Sequence, residues 1–195
     1  GFNGIGKFDL MPDIGELSFT LFNNSGKYYP DGGTALSGWT RGVIVKLIMT
    51  YNAVPHVRFR GYVEDIKLNV GLHSNMSTVS VRALDWIKFA DTFPLTGTTI
   101  QTSKRANEGL QLVLNQLAVT PQATDFQTGT YKFPVIFDGT GMRTTAYGEF
   151  SKLMNSEVGR LSLRKDITYG ETLTFTNNTN DTSGALTANI IGIPR

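Results

Sequence analysis

Alternation of apolar and polar residues dominates the first half of the chain. Glu16-Leu17-Ser18-Phe19-Thr20-Leu21-Phe22 predicts a half-buried strand, which Asn23-Asn24-Ser25-Gly26 stops. The preceding residues, 1–14, are glycine-rich and predict an irregular lead-in, and Tyr28-Tyr29-Pro30-Asp31-Gly32-Gly33 predicts a turn-rich loop. Val43 to Tyr51 is β-branched and apolar, which predicts a buried strand ended by Pro55. Val57 to Ile66 alternates again, and Gly61 inside it predicts a bulge or a close backbone approach. Thr78 to Leu84 is another alternating strand. It runs into Asp85-Trp86-Ile87-Lys88-Phe89-Ala90, where the period becomes helical and Asp85 is suited to cap one or two turns.

The second half mixes periods. Ala106, Leu110, Val113, Leu114 and Leu117 fall on one helical face, predicting a helix between Ser103 and Val119 that Ser103 caps and Pro121 stops. A second helix is predicted from Thr145 to Glu157, with Tyr147, Phe150, Leu153 and Met154 inward and Gly159 as its left-handed cap. Tyr131 to Phe137 predicts a strand broken by Pro134, followed by a turn at Asp138-Gly139. Arg160 to Arg164 and Glu171 to Phe175 predict a hairpin, Asn177 to Ser183 a loop, and Leu186 to Ile193 a final strand. Strands, then helices among strands, without regular βαβ alternation, give a β-rich α+β class. Pro94, Gly97 and their polar neighbours mark the best boundary, near residues 94–102.

Composition narrows the function more than the fold. The 195 residues carry 18 Lys+Arg against 16 Asp+Glu, a net charge of +2, which is too balanced for a surface that grips nucleic acid or anionic membrane. Cysteine is absent, which excludes a disulfide framework, thiolate metal sites and a cysteine nucleophile. No apolar run approaches a membrane span.

Candidate chemistry is sparse. The two histidines, His56 and His73, have no metal-binding spacing and read as surface residues. Ser162-Leu163-Arg164-Lys165 matches SxxK, but on a strand Ser162 and Lys165 point to opposite faces. Gly139-Thr140-Gly141 lacks the rest of a phosphate cradle and reads as a turn. Glu64, Asp65 and Asp85 raise a glycosidase-type carboxylate pair, against a solvated strand end and a helix cap. Asn-x-Ser/Thr matches start at Asn23, Asn75, Asn177 and Asn180, as expected by chance in a chain this rich in those residues. Trp39, Tyr28 and Tyr29 are candidate carbohydrate or partner contacts, with Tyr28-Tyr29 the better placed; Trp86, beside Leu84 and Ile87, reads as core.

The order of these motifs resembles a known family. Gly15 to Pro30, an alternating strand closing on Asn23-Asn24-Ser25-Gly26-Lys27-Tyr28-Tyr29-Pro30, resembles a strand-plus-turn signature of phage minor tail proteins. Phe59-Arg60-Gly61-Tyr62-Val63-Glu64-Asp65-Ile66 resembles their next signature, and Val79 to Trp86 is similar to their strand running into an Asp-capped helix. The helix after Ser103, the run Glu157-Val158-Gly159-Arg160-Leu161-Ser162-Leu163 and the closing hairpin follow in the same order, so the resemblance covers about residues 15–176.

The family is the tail-tip or baseplate-hub type of long-tailed phages, related to the hubs of contractile tails and secretion spikes. The resemblance implies two related β-barrel-like domains joined by helices: residues 1–98, a helical connector at 99–130, and a partial second domain at 131–195. It implies a non-enzymatic virion protein without cofactor or metal. The expected assembly is a homotrimeric ring that adapts a hexameric tail tube to a three-fold tip. Its expected partners are distal tail and tail-tube proteins, a tape-measure protein and DNA in passage, after assembly in the host cytoplasm. Family members carry an extra strand or two before the first signature, where this sequence has about 14 residues, and they continue beyond the closing hairpin. The chain is therefore expected to be part of a longer protein, with a neighbour completing the first sheet. Tyr28, Tyr29, Lys46, Arg58 and Arg60 are the expected channel or interface residues, the three cations because alternation places them where one strand face meets a lumen. A carbohydrate- or receptor-binding module and a carboxylate hydrolase stand as the other readings.

Overall fold

The computed structural model describes residues 10–71, 77–96, 98–137, 144–166, 168 and 170–177. The turn expected at Asp138-Gly139, the Gly139-Thr140-Gly141 motif, His73, Asn75, Asn180 and the strand expected at Leu186 to Ile193 lie outside the described residues.

The alternating segments of the first half build one antiparallel sheet. Its strands are β1 (Glu16–Phe22), β2 (Ile44–Tyr51), β3 (Val54–Asn69) and β4 (Thr78–Leu84), in the order β1-β4-β3-β2. β1 and β4 pair without a break from Glu16↔Leu84 to Phe22↔Thr78. Their inward residues meet those of β3 in a small core of Val63, Ile66, Val79 and Val81, which Phe19, Leu21, Tyr28, Tyr29, Trp39, Val43 and Val45 cover.

β3 is longer than the alternation indicated, because Pro55 does not end a strand. The chain reverses just before it, at Asn52 and Ala53, whose φ values of 46° and 61° suit a two-residue hairpin turn. Pro55 then lies opposite Thr50 in the β2–β3 ladder. Gly61 is a close approach: a Cβ there would overlap the Leu84 carbonyl oxygen and lie 2.6 Å from Cζ of Phe59. The register irregularities fall on either side of it, between Leu47 and Ile48 on β2 and between Val63 and Asp65 on β3.

Asp85 ends the sheet and starts the helical body. Its carboxylate accepts a hydrogen bond from the Ile87 backbone N–H at 3.1 Å and caps α1 (Trp86–Thr92), as the sequence predicts. After it come β5 (Pro94–Leu95), β6 (Gln101–Arg105), α2 (Ala106–Leu114), β7 (Ala123–Phe126) and β8 (Lys132–Ile136). β9 (Thr144–Thr145), α3 (Ala146–Glu157), β10 (Arg160–Arg164) and β11 (Thr172–Thr176) complete the described elements. β10 and β11 form the expected antiparallel hairpin, and β11 also pairs in parallel with β7.

The predicted helical faces are the buried ones. Ala106, Leu110, Val113, Leu114 and Leu117 from the α2 region join Phe150, Leu153 and Met154 of α3 around Trp86, Ile87, Leu161, Leu173 and Phe175. Each such aliphatic or aromatic side chain contributes about 1.5–3 kcal/mol when fully buried. This core gathers residues from 86 to 175, so α1, α2 and α3 share one interior.

Three local expectations are corrected. α2 begins at Ala106, not Ser103: Ser103 takes a φ of 55° within β6, and Glu108 caps the start by accepting from the Arg105 N–H at 2.8 Å. Pro134 does not break β8, because the β6–β8 register skips Ser103 and Pro134, so the missing proline N–H interrupts no pair. Val158, not Gly159, takes the left-handed turn after α3, with φ 56°. Gly159 instead allows close passage, since a Cβ would lie 2.7 Å from the Phe175 ring. The fold is a β-rich α+β arrangement with three helices among the described residues.

Candidate assembly surface and buried charged junction

Among the described residues, the β2–β3 hairpin carries the largest run of exposed apolar side chains. Ile44, Leu47, Ile48, Met49, Tyr51 and Val54 are 39–71% exposed. This corrects the expectation of a buried strand at Val43 to Tyr51. β2 is the edge of the sheet, and beyond Val43 and Val45 its apolar side chains have little described structure over them. Apolar periodicity records that such a strand needs cover, not that the same chain supplies it.

The three cations expected on one surface divide. Lys46 and Arg58 are exposed on this hairpin, Arg58 as the residue left without a register partner between Val57 and Phe59. Arg60, opposite Lys46, is only 7% exposed and does not present a surface charge. Its Nη1 lies 3.3 Å from Oε1 of Glu171, a fully buried carboxylate at the start of β11. Lys165 Nζ lies 3.3 Å from the other Glu171 oxygen and 3.9 Å from Oδ2 of Asp85. Four charges that balance therefore join β3, the β4–α1 corner and the β10–β11 connection.

Burial dominates the electrostatics of both acids. It pushes the Asp85 carboxyl up to about 6, against the opposing influences of Lys165 and the Gly15 and Ile87 backbone N–H groups. Burial also pushes Glu171 up, with Lys165, Arg60 and the Trp86 backbone N–H opposing. Sequence reasoning singled out Asp85 as a cap and Arg60 as a surface cation. It missed Glu171 and the role of Lys165, because Arg60 and Glu171 are 111 residues apart and no local pattern links them.

The remaining candidates are accounted for by packing. Tyr28 and Trp39 meet edge to face, with centroids 6.4 Å apart, and Trp39 Nε1 donates to the Tyr28 carbonyl at 2.8 Å. Tyr28 and Tyr29 are half-buried over the small core. Trp86 is fully buried, and its Nε1 donates to the Val119 carbonyl at 3.0 Å. Asn23 and Asn177 are buried, which leaves neither open as a glycan acceptor. His56 lies on the β2–β3 hairpin opposite Met49.

Glu64 and Asp85 do line one cleft of about 610 Å³, with Tyr62, Lys88, Phe89 and Phe93. Glu64 is paired with Arg82 at 3.0 Å, and Asp85 is held by the α1 cap. Asp65, beside the Lys67 ammonium at 3.2 Å, is held below the usual carboxylate range. Among the described residues, no group of three or more His, Cys, Asp or Glu is placed to hold a metal ion, and no helix is long and apolar enough to cross a membrane.

No known family model matches the sequence, and no curated protein matches it. Solved structures do. The 43 kDa tail protein of prophage MuSo2 from Shewanella oneidensis aligns over 84% of this chain and 45% of its own, with 14% identity and a TM-score of 0.46. An Escherichia coli component of the type VI secretion system, described as structurally similar to the T4 bacteriophage tail proteins gp27 and gp5, aligns over 84% of this chain and 42% of its own, with 13% identity and a TM-score of 0.52. The chain thus spans less than half the length of either protein. In fold, the chain is similar to that tail-protein-like component of the type VI secretion system.

Proposed function

We propose that the protein is a structural, non-enzymatic component of a phage tail, acting at the tail tip as a baseplate-hub subunit. The observation that carries this reading is the uncovered apolar hairpin of β2 and β3, on a fold similar to that of a tail-related protein. An edge hairpin with six large exposed apolar residues, five of them on β2, calls for a neighbouring chain, as a ring supplies. In this reading three copies close into a ring that adapts a hexameric tail tube to a three-fold tip. The hairpin lies at a subunit contact, and Lys46 and Arg58 face the contact or the lumen. Tyr28 and Tyr29 line the neighbouring face. In this reading the β1–β4 sheet, ending at Leu84, corresponds to a first barrel-like domain, and the body whose core gathers residues from 86 to 175 corresponds to the connector and part of a second domain, in place of divisions at 98 and 130. The ring's neighbours are distal tail and tail-tube proteins and a tape-measure protein, with DNA passing through after assembly in the host cytoplasm. The near-neutral charge suits a wall that must let DNA slide.

The test is native mass measurement combined with particle imaging. A trimer with a central channel is the expected result. A chain that stays monomeric at tens of micromolar, with no three-fold particles, overturns the proposal.

A further inference from the structure

The join between the first sheet and the helical body is narrow. Among the described residues, no strand of the β1–β4 sheet packs broadly against an element of the helical body. The 610 Å³ cleft separates them over part of their length, with Tyr62 and Glu64 on the sheet side and Lys88, Phe89, Phe93 and Pro94 on the other. Beside the chain connection at Leu84-Asp85, the Arg60–Glu171–Lys165–Asp85 cluster ties the two across this join, and Lys165 Nζ also lies 5.8 Å from the centre of the Phe59 ring on β3.

The cluster is unevenly compensated. Glu171 has two cations at 3.3 Å, while Asp85 has only a share of Lys165, at 3.9 Å. Asp85 is nevertheless only 5% exposed. An ionised carboxylate in that position is disfavoured relative to one in water, because little opposing charge replaces its lost hydration. The groups facing Asp85 are Lys165 and Glu171 from the β10–β11 side and the Gly15 and Ile87 backbone N–H groups, while Glu64 on the sheet side and Lys88 on α1 line the adjoining cleft. Arg60 reaches it only through Glu171.

We propose that this junction is a proton-tightened hinge: a proton taken up at Asp85 draws the first sheet more firmly onto the helical body, and its loss as pH rises loosens the two. The sign follows from burial. Opening the junction returns Asp85 to water, where it is an ordinary carboxylate and releases its proton more readily. The closed form therefore binds protons more tightly than the open form, and acidification favours closure.

The effect is read by hydrogen exchange across residues 84–88 and 165–172 at pH 7.5 and pH 5, corrected for intrinsic rates. Protection is expected to rise roughly tenfold at pH 5, from a carboxyl shifted from 3.8 to about 6. Asp85→Asn is expected to reduce this rise to what Glu171, whose carboxyl burial also pushes up, contributes alone. Lys165→Met is expected to move its midpoint to higher pH, since it removes the cation that favours ionised Asp85. Replacing both His56 and His73 by Gln is expected to leave the rise intact, which separates it from imidazole titration. Protection that is unchanged or falls on acidification overturns the proposal, as does a rise that is undiminished in Asp85→Asn. If Asp85→Asn does not fold, the Lys165→Met midpoint decides, and a midpoint that stays put or falls is equally fatal.

Discussion

Arg60 on β3 and Glu171 at the head of β11 meet 3.3 Å apart where almost no solvent reaches either. Removing one partner is more damaging than the pair is stabilising, because the remaining charge stays buried. Arg60→Met leaves Glu171 with Lys165 alone. It is expected to cost about 2–4 kcal/mol, below or within the usual 3–5 for a broken buried pair because Lys165 remains. Chemical denaturation of Arg60→Met, Glu171→Gln and the double variant measures the coupling. Additive losses would show that the two residues do not depend on each other.

Gly61 is required by space. Gly61→Ala would drive a methyl group into the Leu84 carbonyl and the Phe59 ring, next to the Tyr62↔Leu84 pair of β3 and β4. The expected loss is about 2–3 kcal/mol, at the upper end for overpacking. Gly33, where an added Cβ would meet nothing within 4 Å, supplies the contrast. Gly33→Ala is expected to change stability by less than about 0.5 kcal/mol. Equal effects at the two sites in a melting experiment would refute the close-packing account.

These glycines also mark how far the sequence could be read. The alternation around Gly61 announced a close approach, and the Ala106-Leu110-Val113-Leu114-Leu117 stripe announced a buried helical face. Both signals are local and repeat with the geometry of one element. Asp85 was legible for the same reason, since a cap and its helix are neighbours in sequence. Burial of Arg60 was not legible, because the residue that neutralises it belongs to a distant hairpin. Exposure of Ile48, Met49 and Tyr51 was hidden in another way. Periodicity reports how apolar a strand is, but the place of β2 at the sheet edge follows from the pairing of four strands. Ser103 and Val158 take left-handed backbone without the glycine that normally signals it.

Val158 offers a stabilising substitution. A β-branched residue at φ 56° is strained, and its side chain is 63% exposed, so little packing offsets the strain. Val158→Gly relieves about 1–2 kcal/mol of backbone strain and loses about 0.5–1 to the freer unfolded chain. The expected net gain is about 0.5–1 kcal/mol, seen as a higher melting temperature. A lower one would mean that the Val158 side chain contributes more than its exposure suggests.

The exposed hairpin separates folding from assembly. Ile48 is 51% exposed and Tyr51 71%, so charging them removes little from the interior of one chain. Ile48→Lys and Tyr51→Lys are each expected to shift unfolding free energy by less than about 0.5 kcal/mol. If the hairpin is the subunit contact, each also places a desolvated ammonium against a neighbour in every copy. Burial of one such apolar side chain is worth about 1.5–3 kcal/mol, so self-association should weaken at least about tenfold per contact. Denaturation and sedimentation on the same samples read the two quantities independently. Unchanged stability with lost association locates the contact on β2. Unchanged association in the double variant moves the contact elsewhere on the sheet, and lost stability would mean that the hairpin is packed within its own chain.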